Sequence, residues 1–175
     1  NTIRQIGSAL ASSTFDISKV LKYTMDMIRE VMNVEAGSLL FLENNELEIA
    51  VAFNIKIKSM KKFRLKLGQG IAGYVAQTGE TLLIPDVSKD PRWYKEISES
   101  IGFETRSIAC VPMKVRGEII GVVEIIDKTD GSQITEADLK ILSGFAELAA
   151  VAIGNARKIE HNKKEIKDHK YLLVK

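Results

Sequence analysis

The spacing of apolar residues changes twice along this chain, and this change constrains the fold more than any other feature of the sequence. Residues 17–33 carry apolar side chains at i, i+3, i+4 and i+7, which predicts an amphipathic helix. From about 38 to 127 the period falls to two, which is typical of strands. From 136 to at least 159 the helical spacing returns, behind Thr135 and Asp138 spaced as a capping box. Strands enclosed by terminal helices predict an α+β domain with an antiparallel sheet.

Two hairpins define the predicted sheet. The first turns through residues 43–46 and the second through 116–117, with alternating apolar residues on both sides of each turn. In the last strand Ile119, Val123 and Ile125 are predicted to share one face. The other face is also apolar, which indicates that other parts of the protein cover both faces of this strand. The remaining predicted elements are helices over 2–12, 71–78 and 94–100 and strands over 63–67 and 82–84.

The length of 175 residues suits one domain with flanks. We expect an N-terminal helical flank over 1–14, a globular domain over 15–160, and a linker helix or tail over 161–175. The chain starts with Asn1, which indicates a piece of a longer protein. It has no apolar stretch of 18 residues and no signal-peptide pattern, so we expect a cytoplasmic protein without membrane contact.

The reactive residues are too few for most catalytic or metal sites. Cys110 is the single cysteine, inside an apolar strand, and the two histidines, His161 and His169, stand in the polar tail. We therefore expect no metal, no disulfide framework and no enzyme activity in this domain. The net charge of +2 predicts no direct contact with nucleic acid, and the basic run over 56–66 is interpreted as a solvated surface.

The glycines of residues 68–73 match the GxGxxG pattern of dinucleotide-binding proteins. The context does not fit such a site, because the preceding strand alternates polar and apolar residues and no strand–helix–strand units follow. Two local properties of the segment still hold. The glycines allow a tight turn, and the N-terminus of the helix that follows the turn offers N–H groups to an anion.

The C-terminal helix carries a second possible function. Leu142, Ala149, Ile153 and Ala156 follow the alternating 3-4 spacing of a coiled coil. The alternative to a dimer contact is that this face of the helix packs on its own domain. The helix is at least about 24 residues, or about 36 Å, which exceeds what a small domain needs. We predict a parallel two-fold homodimer with these four residues near the contact.

Three segments together resemble the GAF domain family: residues 35–42, 68–93 and 102–128. The resemblance covers about residues 15–160. It implies a central antiparallel sheet of about six strands, with the N- and C-terminal helices on one face and a ligand pocket on the other. It also implies a sensor domain of the kind found in phosphodiesterases, sensor kinases and bacterial enhancer-binding transcription activators of the nitrogen-fixation type.

The run over 68–128 looks especially similar to the cyclic-nucleotide-binding GAF domains of phosphodiesterases. That resemblance implies a ligand site at eight positions: Ser38, Phe53, Asn54, Ile71, Ala72, Tyr94, Thr105 and Glu124. Asn54 departs from the aspartate of those relatives, and Ile101 from a polar residue. In place of their Asn-Lys, Phe and Asp-Glu signature stand Asp127-Lys128, Ile134 and Asp138-Leu139. The retained Lys128 and Asp138 are predicted to form a structural pair.

Three functions follow as hypotheses. The first is a small-molecule-sensing regulatory domain that dimerises and passes a signal through its C-terminal helix to a downstream output domain in the same chain, as in a bacterial transcription activator. The second is a cyclic-nucleotide-binding regulatory domain of a signalling enzyme. The third is a structural dimerisation module with no ligand. The cofactor is expected to be an unidentified small molecule, with a cyclic nucleotide as one candidate and no metal.

Overall fold

A computed structural model of the chain describes residues 17–55, 64–90 and 105–174, with side chains as far as Lys158. The helices predicted over 2–12 and 94–100 lie outside these residues. The described helices and strands are α1 (Ile17–Met32), β1 (Val34–Glu43), β2 (Glu46–Phe53), β3 (Arg64–Lys66), α2 (Gly70–Thr78), β4 (Leu82–Ile84), a 3₁₀ turn (Val87–Lys89), β5 (Ile108–Val115), β6 (Glu118–Lys128) and α3 (Glu136–Val174).

The six strands form one sheet in the order β3-β2-β1-β6-β5-β4, and every neighbouring pair is antiparallel. Both predicted hairpins are present. Asn44 and Asn45 both have positive φ, 53° and 63°, and so do Arg116 and Gly117 at the second turn. Two central residues with positive φ give a turn whose twist matches that of the flanking strands. The structure confirms the predicted α+β fold with its six-stranded antiparallel sheet.

Helices α1 and α3 cover one face of the sheet, as predicted. Their apolar stripes meet the inward side chains of β1, β5 and β6, and the fully buried members include Met25, Ile28, Leu39, Ile125 and Leu142. The short helix α2 covers part of the opposite face, where Ile71, Ala72 and Val75 pack against β1, β5 and β6. The central strands are therefore apolar on both faces.

A β-bulge alters the faces of β5 and β6 near their shared turn. The pairing shifts between Met113 and Lys114, and Ile120 joins the core on the α1/α3 face. Ile119 turns to the other face, where it lies 3.2 Å from where a Cβ on Gly79 would stand. The prediction that Ile119 shares a face with Val123 and Ile125 was wrong, because an extra residue in one strand reverses the alternation beyond it.

Lys128 joins three elements where β6 ends. Its Nζ donates a hydrogen bond to Asp138 Oδ1 at 3.0 Å and another to the Met32 carbonyl oxygen at 3.1 Å, at the end of α1. The other oxygen of Asp138 accepts from the Thr135 N–H at 2.8 Å, so the predicted capping box is present. The two charged side chains are only 18% and 13% exposed, so the pair is better shielded from water than the surface pair expected from the sequence.

The outer face of α3 differs from the one predicted. Leu142, Ala149, Ile153 and Ala156 are at most 2% exposed, because they pack into the domain's own core against the sheet. They cannot form a dimer contact while the core is intact, and that assignment of the interface was wrong. Among its side chains as far as Lys158, the large apolar residues that α3 does expose are Ile141, at 43%, and Val151, at 56%.

Candidate functional site

A row of side chains crosses the face of the sheet that α2 partly covers. In the strand register Ser38 of β1 stands opposite Glu124 of β6, and Glu124 stands opposite Cys110 of β5. Paired residues of an antiparallel sheet point to the same side, so these three polar groups form one line within an apolar layer. The residues before and after Glu124 on this face are Val122 and Ile126, both buried.

Glu124 is the unusual group in this row. Its side chain is partly buried between Val122 and Ile126, and the loss of water around the carboxyl raises its pKa to about 7. No hydrogen bond or ion pair joins it to another side chain in the part of the chain that the structure describes. Burying a carboxylate without a partner is costly, so the group favours either protonation or a ligand that supplies the missing hydrogen bonds.

Cys110 is fully buried beside this carboxyl. Burial raises the pKa of its thiol, and the charge of Glu124 raises it further. The thiolate, which is the reactive form of cysteine, is therefore suppressed. This agrees with the interpretation of Cys110 as an inert core residue.

The N-terminus of α2 lies on the same face. The glycine turn before it is closed by the Gly68 N–H donating to the Gly73 carbonyl at 2.9 Å, and Gly68 and Gly70 have φ of +83° and +67°. A Cβ on Gly73 would stand 2.6 Å from the Lys66 carbonyl oxygen. The glycines thus serve a tight turn, and they bring the first turn of α2, with Ile71 and Ala72, against the layer that holds Ser38 and Glu124.

Thr105 lies in a different place, in a cleft of about 460 Å³ at the end of the sheet. Its Oγ1 is buried and has no hydrogen-bond partner among the described residues. The cleft also contains Asp127, whose buried carboxylate accepts from the Ser107 N–H at 2.7 Å and from the Arg106 N–H at 3.1 Å. Asp127 was missed as an organising residue by the sequence analysis. Its position directly before Lys128, in place of the asparagine of the phosphodiesterase relatives, was the signal available.

Two predicted site residues do not join the group. Phe53 pairs in register with Gly37 and points to the α1/α3 face, where its ring packs on the core and lies 5.5 Å from the Arg29 guanidinium. Asn54 is exposed with φ of +57°, and its side-chain amide donates to the Glu35 carbonyl at 2.8 Å. Phe53 therefore cannot stack on a ligand held near Glu124, and Asn54 has a structural role at the end of β2. Tyr94 lies outside the described residues.

The structure thus brings four of the eight predicted residues to one face of the sheet: Ser38, Ile71, Ala72 and Glu124. This arrangement offers a titratable carboxyl, a hydroxyl and a helix N-terminus beside apolar side chains. Such a set can hold a small ligand that has a polar edge, an anionic group and an apolar surface. Within the described residues no helix is long and apolar enough to cross a membrane.

Comparison with known proteins agrees with this architecture. The GAF domain family matches residues 16–153. The chain is 34% identical over 119 residues to the dual 3′,5′-cyclic-AMP and -GMP phosphodiesterase 11 of Drosophila melanogaster, covering 67% of this chain and 8% of that protein. It is 33% identical over 149 residues to phosphodiesterase 11A of Takifugu rubripes, a dual 3′,5′-cyclic-AMP and -GMP enzyme, covering 84% of this chain and 15% of that protein. The chain therefore spans only a small part of these curated relatives.

Solved structures give the same fold. The GAF domain from a phosphoenolpyruvate-protein phosphotransferase of Coxiella burnetii superposes with a TM-score of 0.77 at 22% identity, over 91% of this chain and 95% of that one.

Proposed function

Because this chain belongs to the GAF domain family, a family of regulatory sensor domains, we propose that it binds a small molecule and passes that signal to an output domain through α3. A cyclic nucleotide is the first candidate for the ligand. The similarity to two phosphodiesterases that act on cyclic AMP and cyclic GMP supports this choice. Regulation of transcription, as in bacterial activators, is the alternative output.

The observation that carries the proposal is the carboxyl of Glu124, which has no partner among the described residues and lies on the face shared with the α2 N-terminus. As a carboxylate it can accept two hydrogen bonds, which suits the two neighbouring N–H donors of guanine. As a protonated acid it donates one and accepts one, which suits the donor and acceptor of the adenine edge. The N–H groups at the start of α2 suit the phosphate.

Calorimetric titration with cyclic AMP and cyclic GMP tests the proposal. We expect binding of at least one of them, with the preference moving toward cyclic GMP between pH 6 and pH 8 as Glu124 ionises. Glu124→Gln should weaken cyclic GMP binding at least about tenfold, which is one hydrogen bond to a charged group, because the amide no longer accepts two hydrogen bonds. Phe53→Leu should leave the affinity within about twofold, because Phe53 lies on the other face.

The outcomes separate the alternatives. Binding of neither nucleotide, together with an unliganded protein by native mass spectrometry, would leave the structural dimerisation module as the function. A different molecule retained in the purified protein would support the sensor and reject the cyclic nucleotide.

Signal transfer requires a partner for the outer helices, and we propose a second copy of this chain. We assign an apolar seam between α1 and α3 to four residues, of which Val31 and Ile141 are exposed and Met27 and Leu148 are partly buried against the core. Val31 and Ile141 are 42% and 43% exposed, and their helices meet where Lys128 contacts both the Met32 carbonyl and Asp138. A two-fold dimer would cover this seam, and it would set the two α3 helices side by side.

A further inference from the structure

We propose that a groove on the far side of α3 is a docking site for an acidic peptide segment that carries an apolar anchor. This basic groove lies between the β5–β6 turn and the second half of the described part of α3, and its volume is about 510 Å³. It is remote from the Glu124 face of the sheet, and the inference does not depend on the proposed ligand.

The charge of the groove is of one sign. Among the described side chains its ionisable lining residues are Lys114, Arg116, Arg157 and Lys158, and none is acidic. The Lys114 ammonium points across the sheet to the end of α2, where it lies 3.4 Å from where a Cβ on Gly79 would stand, which leaves three cations for the groove. None of the three lies within ion-pair distance of a carboxylate among the side chains that the structure describes. Three cations around one concave surface create a local positive potential, although the whole chain carries only +2.

The floor of the groove is apolar. Val151 projects into it with 56% of its surface exposed, and Val115 lines the opposite wall half-buried. The helix approaches the strand closely here, since a Cβ built on Gly154 would stand 3.2 Å from Val115 Cγ1. A glycine at that point leaves room between the two valines. An apolar side chain of a partner would bury both valines and remove this surface from water.

These features favour an acidic peptide over a nucleic acid. The described residues that line the groove include no aromatic side chain on which a base could stack. The Arg157 guanidinium lies 6.0 Å from the centre of the Phe41 ring. This contact holds the guanidinium over the sheet, so it is not aligned with the other cations as a nucleic-acid backbone would require. A peptide with carboxylates around a leucine matches both the cations and the valines.

The position of the groove along α3 determines what a bound peptide would do. Ala156 is the last buried residue among the described side chains of α3, and the groove is lined by residues on either side of it. A segment bound here would hold the helix against the β5–β6 turn at the point where it leaves the sheet. It would thereby stabilise one direction of the outgoing helix.

Fluorescence anisotropy with a labelled peptide tests the proposal on the full chain. The probe is a blocked peptide of alternating glutamate and aspartate with one central leucine, at about 50 mM salt. We expect a Kd on the order of 10–100 μM. The double variant Arg116→Glu/Lys158→Glu should weaken binding at least tenfold. The matched control Lys22→Glu/Lys140→Glu makes the same charge change on exposed residues outside the groove and should stay within twofold. Thermal melts of both variants verify that the fold is retained.

Further measurements identify which kind of molecule binds in the groove. Replacing the leucine by glycine in the peptide, or Val151→Ala in the protein, should weaken binding several-fold, and an all-glutamine peptide should not bind. Equal loss in groove and control variants would overturn the proposal, because it would mean only general charge attraction. Tighter binding of a DNA duplex at the same residues would also overturn it. So would a dimer that dissociates in the groove variant, because a second copy would then occupy the groove.

Discussion

Glu124 and Cys110 stand opposite each other on β6 and β5, with a carboxyl and a thiol on the same face of the sheet. Burial raises the pKa of both groups, and the charge of Glu124 raises the pKa of the Cys110 thiol further. The consequence differs for the two residues. The thiol stays neutral at physiological pH, whereas the carboxyl titrates near pH 7.

The thiol should therefore be unreactive in the folded protein. We expect the rate at which a small disulfide reagent modifies Cys110 at pH 8 to be at least about a hundredfold lower than in the denatured chain, since both the thiolate fraction and access are reduced. Absorbance of the released thiol reports the rate. Native modification at the denatured rate would mean that this part of the sheet is open.

Glu124 should make stability depend on pH. Its pKa is raised on folding from 4.5 to about 7, so the folded state holds the proton more tightly than the unfolded state. This contribution to stability is present below about pH 4.5 and is lost as the pH rises to about 7. Glu124→Gln should then stabilise the protein at pH 8 by about 2 kcal/mol and change it little at pH 5.

Urea denaturation at the two pH values measures this difference. Glu30→Gln, on the exposed side of α1, provides the control and should show no pH-dependent gain. If both variants behaved alike, the raised pKa of Glu124 would be wrong.

The Lys128–Asp138 pair should be coupled more strongly than a surface ion pair. Partial burial acts against the charge of Asp138, but hydrogen bonds from Thr135 and Lys128 prevail and hold its pKa below the ordinary value. A double-mutant cycle with Lys128→Met and Asp138→Ala should give a coupling of about 1–2 kcal/mol at pH 7. Because the pKa is depressed, the coupling should disappear as the pH falls below about 4. A coupling near zero at pH 7 would show that solvent screens the pair.

Gly121 should tolerate no side chain. A Cβ there would lie 2.1 Å from the Leu40 carbonyl oxygen, next to the Phe41–Gly121 pair at the end of the β1–β6 pairing. We expect Gly121→Ala to destabilise the fold by about 3 kcal/mol or more, because the neighbouring backbone cannot move away. Gly144→Ala is the matched control. Nothing lies within 4 Å of its added Cβ, and alanine should stabilise α3 by about 0.5–1 kcal/mol.

Replacing Ile141 with a charged residue tests the proposed dimer seam. Ile141→Glu should leave the fold intact and shift sedimentation from dimer to monomer at micromolar concentration, since the side chain is 43% exposed in one copy. Ile153→Glu should instead unfold the domain, because that side chain is 1% exposed in the core. A wild-type monomer, or a dimer unaffected by Ile141→Glu, would reject the seam.

The sequence predicted those features that depend on local spacing. The turn at Asn44 and Asn45, the Thr135–Asp138 cap and the apolar stripe of α1 all depend on residues close together in the chain. Phe53 could not be placed in this way, since its face depends on pairing with Gly37 across β1, and a shift of one residue in register reverses the side. The four residues assigned to a dimer contact failed for a related reason. A stripe at 3-4 spacing fits a sheet of the same chain as well as a partner helix.

Helix α3 is continuous for 39 residues, and Ala156 is the last core residue among its described side chains. The 18 residues from there to Val174 extend about 27 Å at 1.5 Å per residue. A stiff rod pivoting at the edge of the sheet enlarges small movements at its far end: a tilt of about 10° displaces the tip by roughly 5 Å over that length. A bend of about that angle where the helix leaves the sheet would therefore move the tip by about the length of a side chain.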